Sequence, residues 1–251
     1  MHAAPTRPAR RRGTLRSERE QHERHRIERE LADRLLQFIA RFVSLRTRFL
    51  EVGAGDCALA LKVSDIAEHV VAVDACNRVG PGIERPCNFE LVLADGCGIA
   101  VPSGSIDVAF SNQVIEHLRP EDAREHLRNI FRILAPGGTY VCITPNRLYG
   151  QHDASGCFDE VATGVHLREY SAREIRELLL GTGFEHVDFY FGARGWFARC
   201  PEWIMAGLEA LLDALPAAAG RRIADTALLR AFLGLRVAAT KPGASMRRET
   251  P

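Results

Sequence analysis

Four groups of residues in this 251-residue chain have types and spacings suited to chemistry. The first is EVGAGD, residues 51–56, where Gly53 and Gly55 permit a tight turn close to a ligand. A helix start after that turn would add free N–H groups. The second and third are VVAVD, residues 70–74, and LVLADG, residues 91–96, which place Asp74 and Asp95 at the ends of short apolar runs. A carboxylate there can accept from ribose hydroxyls or from an exocyclic amine. The fourth is Asn112 and Gln113 at the end of another apolar run, with His117 one helical turn on and His166 further along. Imidazole titrates near neutrality, which suits it to general-base work on a protonated acceptor.

The glycine turn alone is ambiguous. Gly53 to Ala58 satisfies G-x-G-x-x-A, and Asp74 follows at a suitable distance, so the pattern of an NAD(P)-dependent oxidoreductase is met. Glu51 argues against it, because a carboxylate ahead of the glycines repels a pyrophosphate and attracts an ammonium. Three acidic groups at the ends of three neighbouring strands point at one crevice. That set suits a nucleoside with a cationic amino-acid part, as in S-adenosylmethionine.

Particular elements are needed to hold these residues. Arg48–Val52, Val70–Asp74, Phe89–Ala94, Ile106–Ser111 and Thr139–Thr144 read as strands, the last entered through Pro136-Gly137-Gly138. Asp56–Ala67 and Pro120–Leu134 read as helices between them. Buried runs separated by helices predict a parallel sheet covered on both faces. Ser171–Leu180 is a further helix, with Ser171 and Glu174 forming a capping box, and Gly181-Thr182-Gly183 stops it. Phe184–Phe191 alternates like a strand, Trp196–Leu215 is helical over most of its length, and Leu229–Thr240 supplies a last strand. Upstream, Ser17 opens a helix reaching about residue 44, with Ile27, Leu31, Leu35, Phe38, Ile39 and Phe42 on one stripe. The stripe packs on the sheet or on a second copy of the chain. Residues 1–16 are expected to be a disordered tail, 17–242 one domain and 243–251 a second tail.

Composition excludes several classes. An apolar share of 46% excludes wholesale disorder, and 33 basic against 32 acidic groups give no global pull toward nucleic acid or membrane. Seven cysteines without a C-x-x-C pair suit a reducing compartment. There is no apolar leader and no run of eighteen apolar residues, so a cytoplasmic location without membrane insertion is expected. His152 and Asp153 lack a second ligand pair, and no metal is expected.

In order, EVGAGD, VVAVD, LADG, SIDVAFSNQVIEHL (105–118) and LRNIFRILAPGGTYVCITPN (127–146) resemble class I S-adenosylmethionine-dependent methyltransferases. The subgroup matched best acts on small molecules, lipids and glycans. The resemblance covers residues 48–146, with a weaker echo in 166–184. It departs at Cys57, where many relatives carry a third glycine. It implies a Rossmann-like, doubly wound, mostly parallel α/β sheet of seven strands with the last antiparallel, preceded by an N-terminal helix. Residues 193–228 would then be a helical insertion between the terminal strands. Implied cofactor contacts are Glu51, Gly53, Ala54, Gly55, Asp74, Ala75, Asp95, Gly96, Asn112 and Gln113. His117 and His166 are the implied catalytic-site histidines, the first as a buried hydrogen-bonding support and the second as a base facing the acceptor. The expected reaction is O-methylation of a small molecule or glycan. Nucleic acid is not expected, because Ser111-Asn112-Gln113-Val114 stands where DNA amino methylation uses an asparagine–proline tetrad. The alternatives are the oxidoreductase above and a non-catalytic S-adenosylmethionine-binding or interaction protein.

Overall fold

A computed structural model describes residues 26–79, 83–94, 98–149, 167–193, 195–224 and 226–244. Expectations for the tail at 1–16 and for Asp95, Gly96 and His166 lie outside them. In chain order the elements are α1 (residues 26–39), β1 (Arg48–Val52), α2 (Ala58–Val63), β2 (His69–Asp74), β3 (Phe89–Leu93) and β4 (Ile106–Asn112). A 3-10 turn (Ile115–His117), α3 (Pro120–Ile133), β5 (Leu134–Thr144) and a second 3-10 turn (Arg147–Tyr149) follow. The remainder is α4 (Ala172–Thr182), β6 (His186–Ala193), β7 (Trp196–Cys200), α5 (Glu202–Asp213), α6 (Ala217–Ala224), α7 (Ala227–Leu233) and β8 (Leu235–Thr240).

The strands form one sheet in the order β3-β2-β1-β4-β5-β8-β6-β7. The first five pair in parallel, and β8 is antiparallel to both β5 and β6. Chain order reverses between β1 and β4, which opens a crevice at their carboxyl ends. Both faces are covered: adjacent residues Phe49 and Leu50 point to opposite sides and both are fully buried. On one side α3 and α4 bring Leu127, Ile130, Ile175 and Leu179 against Leu50, Ala109 and Tyr140. On the other, α1 and α2 bring Phe38, Ile39, Leu59 and Val63 against Phe49, Val70 and Phe110. Phe38 meets the Tyr190 and Phe197 rings at 5.4 and 4.8 Å, so the carboxyl half of the α1 stripe docks on the sheet. Ile27 and Leu31 at its other end are exposed.

Three elements depart from expectation. The sheet has eight strands, not seven, because the apolar stretch after Trp196 begins with β7, paired to β6 from Ala193↔Trp196 to Phe189↔Cys200. Gly192 permits this hairpin: a Cβ there would lie 2.0 Å from the Trp196 carbonyl. The last strand starts at Leu235, not Leu229, because ALLRAFL forms α7 from good helix formers and Gly234 ends it. Helix α2 starts at Ala58, because Cys57 holds a left-handed φ of +63° that no helix continues through. The Ser171–Glu174 capping box forms as expected, with both reciprocal bonds present. No helix among the described residues is long and apolar enough to cross a membrane.

Candidate functional site

The glycine turn follows β1 and is held from two sides. The Gly53 and Ala54 amides donate to the Val73 carbonyl at 2.8 and 3.2 Å, fastening the turn to β2. Asp74, at the end of β2, accepts from the Gly55 amide at 2.8 Å with one carboxylate oxygen and from the Cys76 amide at 3.0 Å with the other. Gly53 and Gly55 have φ of +73° and +56°, backbone that side chains rarely adopt. A Cβ on Gly53 would lie 2.6 Å from Val114 Cγ2, whereas one on Gly55 would meet no protein atom within 4 Å. The turn is thus closed against the loop after β4 and open above Gly55. Ala54 is buried in this turn, and Ala75 is exposed in the bend after Asp74.

Cys57 takes the left-handed conformation that glycine adopts freely, at a typical cost of about 1–2 kcal/mol. Its buried thiol is pushed up to about 12, first by burial and then by the carboxylates of Glu51, Asp56 and Asp74. It is therefore a packing group and not a nucleophile. Asp56, one residue before the N-cap, accepts from the Ala58 amide at 3.0 Å.

Glu51 lies beneath the turn and is only 6% exposed. Burial pushes its carboxyl up to about 8, Asp56 and Asp74 add to the rise, and a hydrogen bond from the Ala60 amide opposes it. Its Oε2 is buried with no hydrogen-bond partner among the described residues. A desolvated carboxyl of this kind regains its charge most readily beside a cation. The side chains beneath and beside the opening, Glu51 and Asp74, are carboxylates, which repel a pyrophosphate. The set fits a ligand with an ammonium and vicinal hydroxyls, and fits a dinucleotide poorly.

Strand β4 carries the opposite wall. Asn112 ends the strand, and Gln113 follows with φ +53°, its amide donating to the Ile143 carbonyl at 2.8 Å. A non-glycine residue held there is strained, and such residues cluster at functional sites. His117 does not provide the buried support expected of it. It is exposed at the end of its 3-10 turn, while its neighbour Glu116 is fully buried. Thr144 Oγ1 donates to Glu116 Oε2 at 3.0 Å, and the Leu167 and Arg168 amides donate to the Glu116 carbonyl at 2.8 and 3.1 Å. Glu116 therefore ties the loop after β4 to β5 and to the chain entering α4. The only local signal for it was an acidic residue beside a histidine, which does not say which of the two turns inward.

Other buried polar groups support the site from below. Ser111 Oγ and the Tyr140 hydroxyl are 2.6 Å apart, with His126 Nε2 3.4 Å from the same hydroxyl. Burial raises the Tyr140 hydroxyl well above its usual range and pushes the Cys142 thiol up to about 12, so both stay neutral. Glu209 on α5 accepts from Asn146 Nδ2 at 2.6 Å and from the Ala172 amide at 2.9 Å, anchoring the helices after β7 to the end of β5. Among the described residues no group of three His, Cys, Asp or Glu side chains could hold a metal ion.

The order β2-β1-β4 sets Glu51, Gly53, Ala54, Gly55, Asp74, Ala75, Asn112 and Gln113 around one crevice. Residues 22–188 match the family described as Methyltransferase domain. A Mycolicibacterium smegmatis protein named probable S-adenosylmethionine-dependent methyltransferase is 32% identical over 140 residues, 55% of this chain and 52% of the relative. A ubiquinone biosynthesis O-methyltransferase of a Caulobacter species is 32% identical over 112 residues, 40% of this chain and 41% of that protein. The chain spans about half the length of the curated relatives it matches. Among solved structures, a chain of the Haloferax volcanii complex between the Trm112 methyltransferase activator and a methyltransferase shares the fold. It has TM-score 0.60 and 17% identity, over 89% of this chain and 94% of that one.

Proposed function

The chain belongs to the class I S-adenosylmethionine-dependent methyltransferases, and from that premise we propose that it methylates a hydroxyl of a small-molecule or glycan acceptor. The observation that carries the reading is the acceptor-lined crevice: Glu51 beneath a glycine turn that Asp74 holds in place, with open space above Gly55. When bound, S-adenosylmethionine supplies an electrophilic methyl carbon on a sulfonium. Asp74 then accepts from the ribose hydroxyls with the lone pairs that Gly55 and Cys76 leave over, and Glu51 faces the ammonium. Asp95 and Gly96 receive the adenine, and the backbone at Ala54 and Ala75 lines its path. Asn112 and Gln113 flank the methionine part and the acceptor.

The residues' main contribution is alignment of the acceptor oxygen with the methyl carbon and exclusion of water. A hydroxyl acceptor must also lose its proton, and His166 is the base assigned to that step. His117, exposed on the loop after β4, is the second candidate. The name of the Caulobacter relative supports oxygen as the accepting atom. A net charge of +1 supports a small acceptor in preference to nucleic acid. Free thiols, Cys76 and Cys87 exposed among them, support a reducing, cytoplasmic location.

The test is a thermal-shift comparison of S-adenosylhomocysteine with NAD(H) and NADP(H). At a hundred times its dissociation constant the right ligand stabilises the fold by about 2.7 kcal/mol. A chain of this size then melts several degrees higher. A shift with a nicotinamide dinucleotide and none with S-adenosylhomocysteine overturns the proposal. Labelled methyl transfer to an acceptor panel separates an enzyme from a protein that only binds the cofactor.

A further inference from the structure

Helices α3 and α4 lie side by side on one face of the sheet, and between them is a cavity of about 370 Å³ that the crevice does not include. Three arginines line it: Arg124 and Arg128, one turn apart on α3, and Arg168 ahead of α4. Two carboxylates, Glu174 and Glu177, line it as well. Both are already engaged. Glu174 pairs with Arg168 at 3.1 Å and closes the α4 capping box, and Glu177 pairs with Arg173 at 2.9 Å. Arg168 is further held with its guanidinium 5.3 Å from the Tyr170 ring centre. On α3 itself, Glu121 and Asp122 are drawn to Arg119 at 3.7 and 2.8 Å. Arg124 and Arg128 therefore face the cavity with no ion pair to a described carboxylate, although Glu125 stands beside them in sequence.

Two like charges at i and i+4 on a helix repel, so the pair costs the free fold stability unless something neutralises it. Guanidinium forks one turn apart, opening into a concavity, match a tetrahedral dianion that can accept from both. The far wall leaves room for it: a Cβ on Gly181 would meet nothing within 4 Å. A cavity of this volume holds a small molecule, not a bare ion alone.

We propose that the groove between α3 and α4 is a binding site for a phosphate-bearing small molecule, whose phosphate is held by Arg124 and Arg128 with Arg168 at the rim. The site stands apart from methyl transfer, and its occupancy does not depend on the reading of the crevice. Its rim is nevertheless tied to that crevice, since the Arg168 amide donates to the Glu116 carbonyl in the loop after β4.

The test is calorimetric titration of the whole chain with phenyl phosphate at constant ionic strength, with benzoate and inorganic sulfate for comparison. Saturable binding of phenyl phosphate is expected, weakened at least tenfold in Arg124→Gln/Arg128→Gln. Arg221→Gln, which removes an exposed guanidinium on α6 outside the cavity lining, should bind as the parent does. Gly181→Glu places a carboxylate in the open space and should abolish binding while the melting profile remains cooperative. Cosedimentation with phosphatidic-acid vesicles, lost in the double variant, would assign the phosphate to a lipid headgroup; absence of cosedimentation beside saturable phenyl phosphate binding assigns it to a soluble ester. No saturable binding, or equal binding by the parent and a folded double variant, overturns the proposal.

Discussion

Binding of S-adenosylhomocysteine at pH 7 should release close to one proton, and its source should be Glu51. In the free chain the Glu51 carboxyl is raised to about 8, chiefly by burial, so roughly nine molecules in ten carry it protonated at pH 7. A docked ammonium favours the carboxylate and returns the group toward its ordinary range. Affinity then rises with pH, by about fiftyfold from pH 6 to pH 8, or about 2 kcal/mol. Folding stability of the free chain runs the opposite way. The folded state keeps a proton that the unfolded state has lost, so stability falls as pH climbs from 4.5 to about 8, by at most about 5 kcal/mol. Calorimetry at pH 7 in two buffers of different ionisation enthalpy counts the proton directly. Glu51→Gln should abolish both the release and the pH slope while the chain still folds. No proton exchanged, together with flat affinity between pH 6 and 8, would refute the placement of the ammonium beside Glu51.

Four further outcomes are expected. Gly53→Ala should lose about 1–2 kcal/mol to its backbone conformation and more to the 2.6 Å approach to Val114, whereas Gly55→Ala should lose only the backbone part. Both should weaken S-adenosylhomocysteine binding in a titration, so a Gly55→Ala chain that binds normally would place the ligand elsewhere. Asp74→Ala should weaken binding ten- to a hundredfold, about 1.5–3 kcal/mol, and also lower the melting temperature by a few degrees because it frees the Gly55 and Cys76 amides; denaturant melts with and without ligand separate the two effects. His117→Ala should leave stability within about 0.5 kcal/mol, since the side chain is exposed. His166→Ala should lower turnover about a hundredfold on the true acceptor, and full activity in that variant would show that alignment alone drives the transfer.

What the chain discloses by inspection is local. The paired burial of Phe49 and Leu50, and of Val70 and Val71, requires apolar residues at consecutive positions, and such runs mark parallel strands in the sequence itself. The α4 cap is written in two residues three apart, and it forms as written. Cys57 is different: its left-handed backbone is imposed by the turn fastened to Val73 and Asp74, and nothing in a thiol signals it. Strand β7 does not stand out in the sequence because Trp196 to Cys200 runs straight into the apolar stretch of α5, and only pairing with β6 separates them. The exchange of His117 for Glu116 as the buried group is decided by Thr144 and by amides some fifty residues on. Glu209 meets Asn146 across 63 positions, a contact that no spacing rule reaches.

The place of β8 in the sheet bears on how the molecule is made. Strands β5 and β6 run in the same direction and do not touch; Leu235–Thr240 lies between them, matched to β5 from Thr139 to Thr144 and to β6 from His186 to Tyr190. During synthesis on the ribosome, β3 through β5 can zip as one half while β6 and β7 close as a separate hairpin. Each half presents a row of unsatisfied amides and carbonyls to the other until the final strand emerges. The closing piece is thus made after both halves, and it must enter between two edges already formed. Loss of it would not shorten the sheet at one side but split it in two, leaving a pair of adhesive borders where the intact molecule has none.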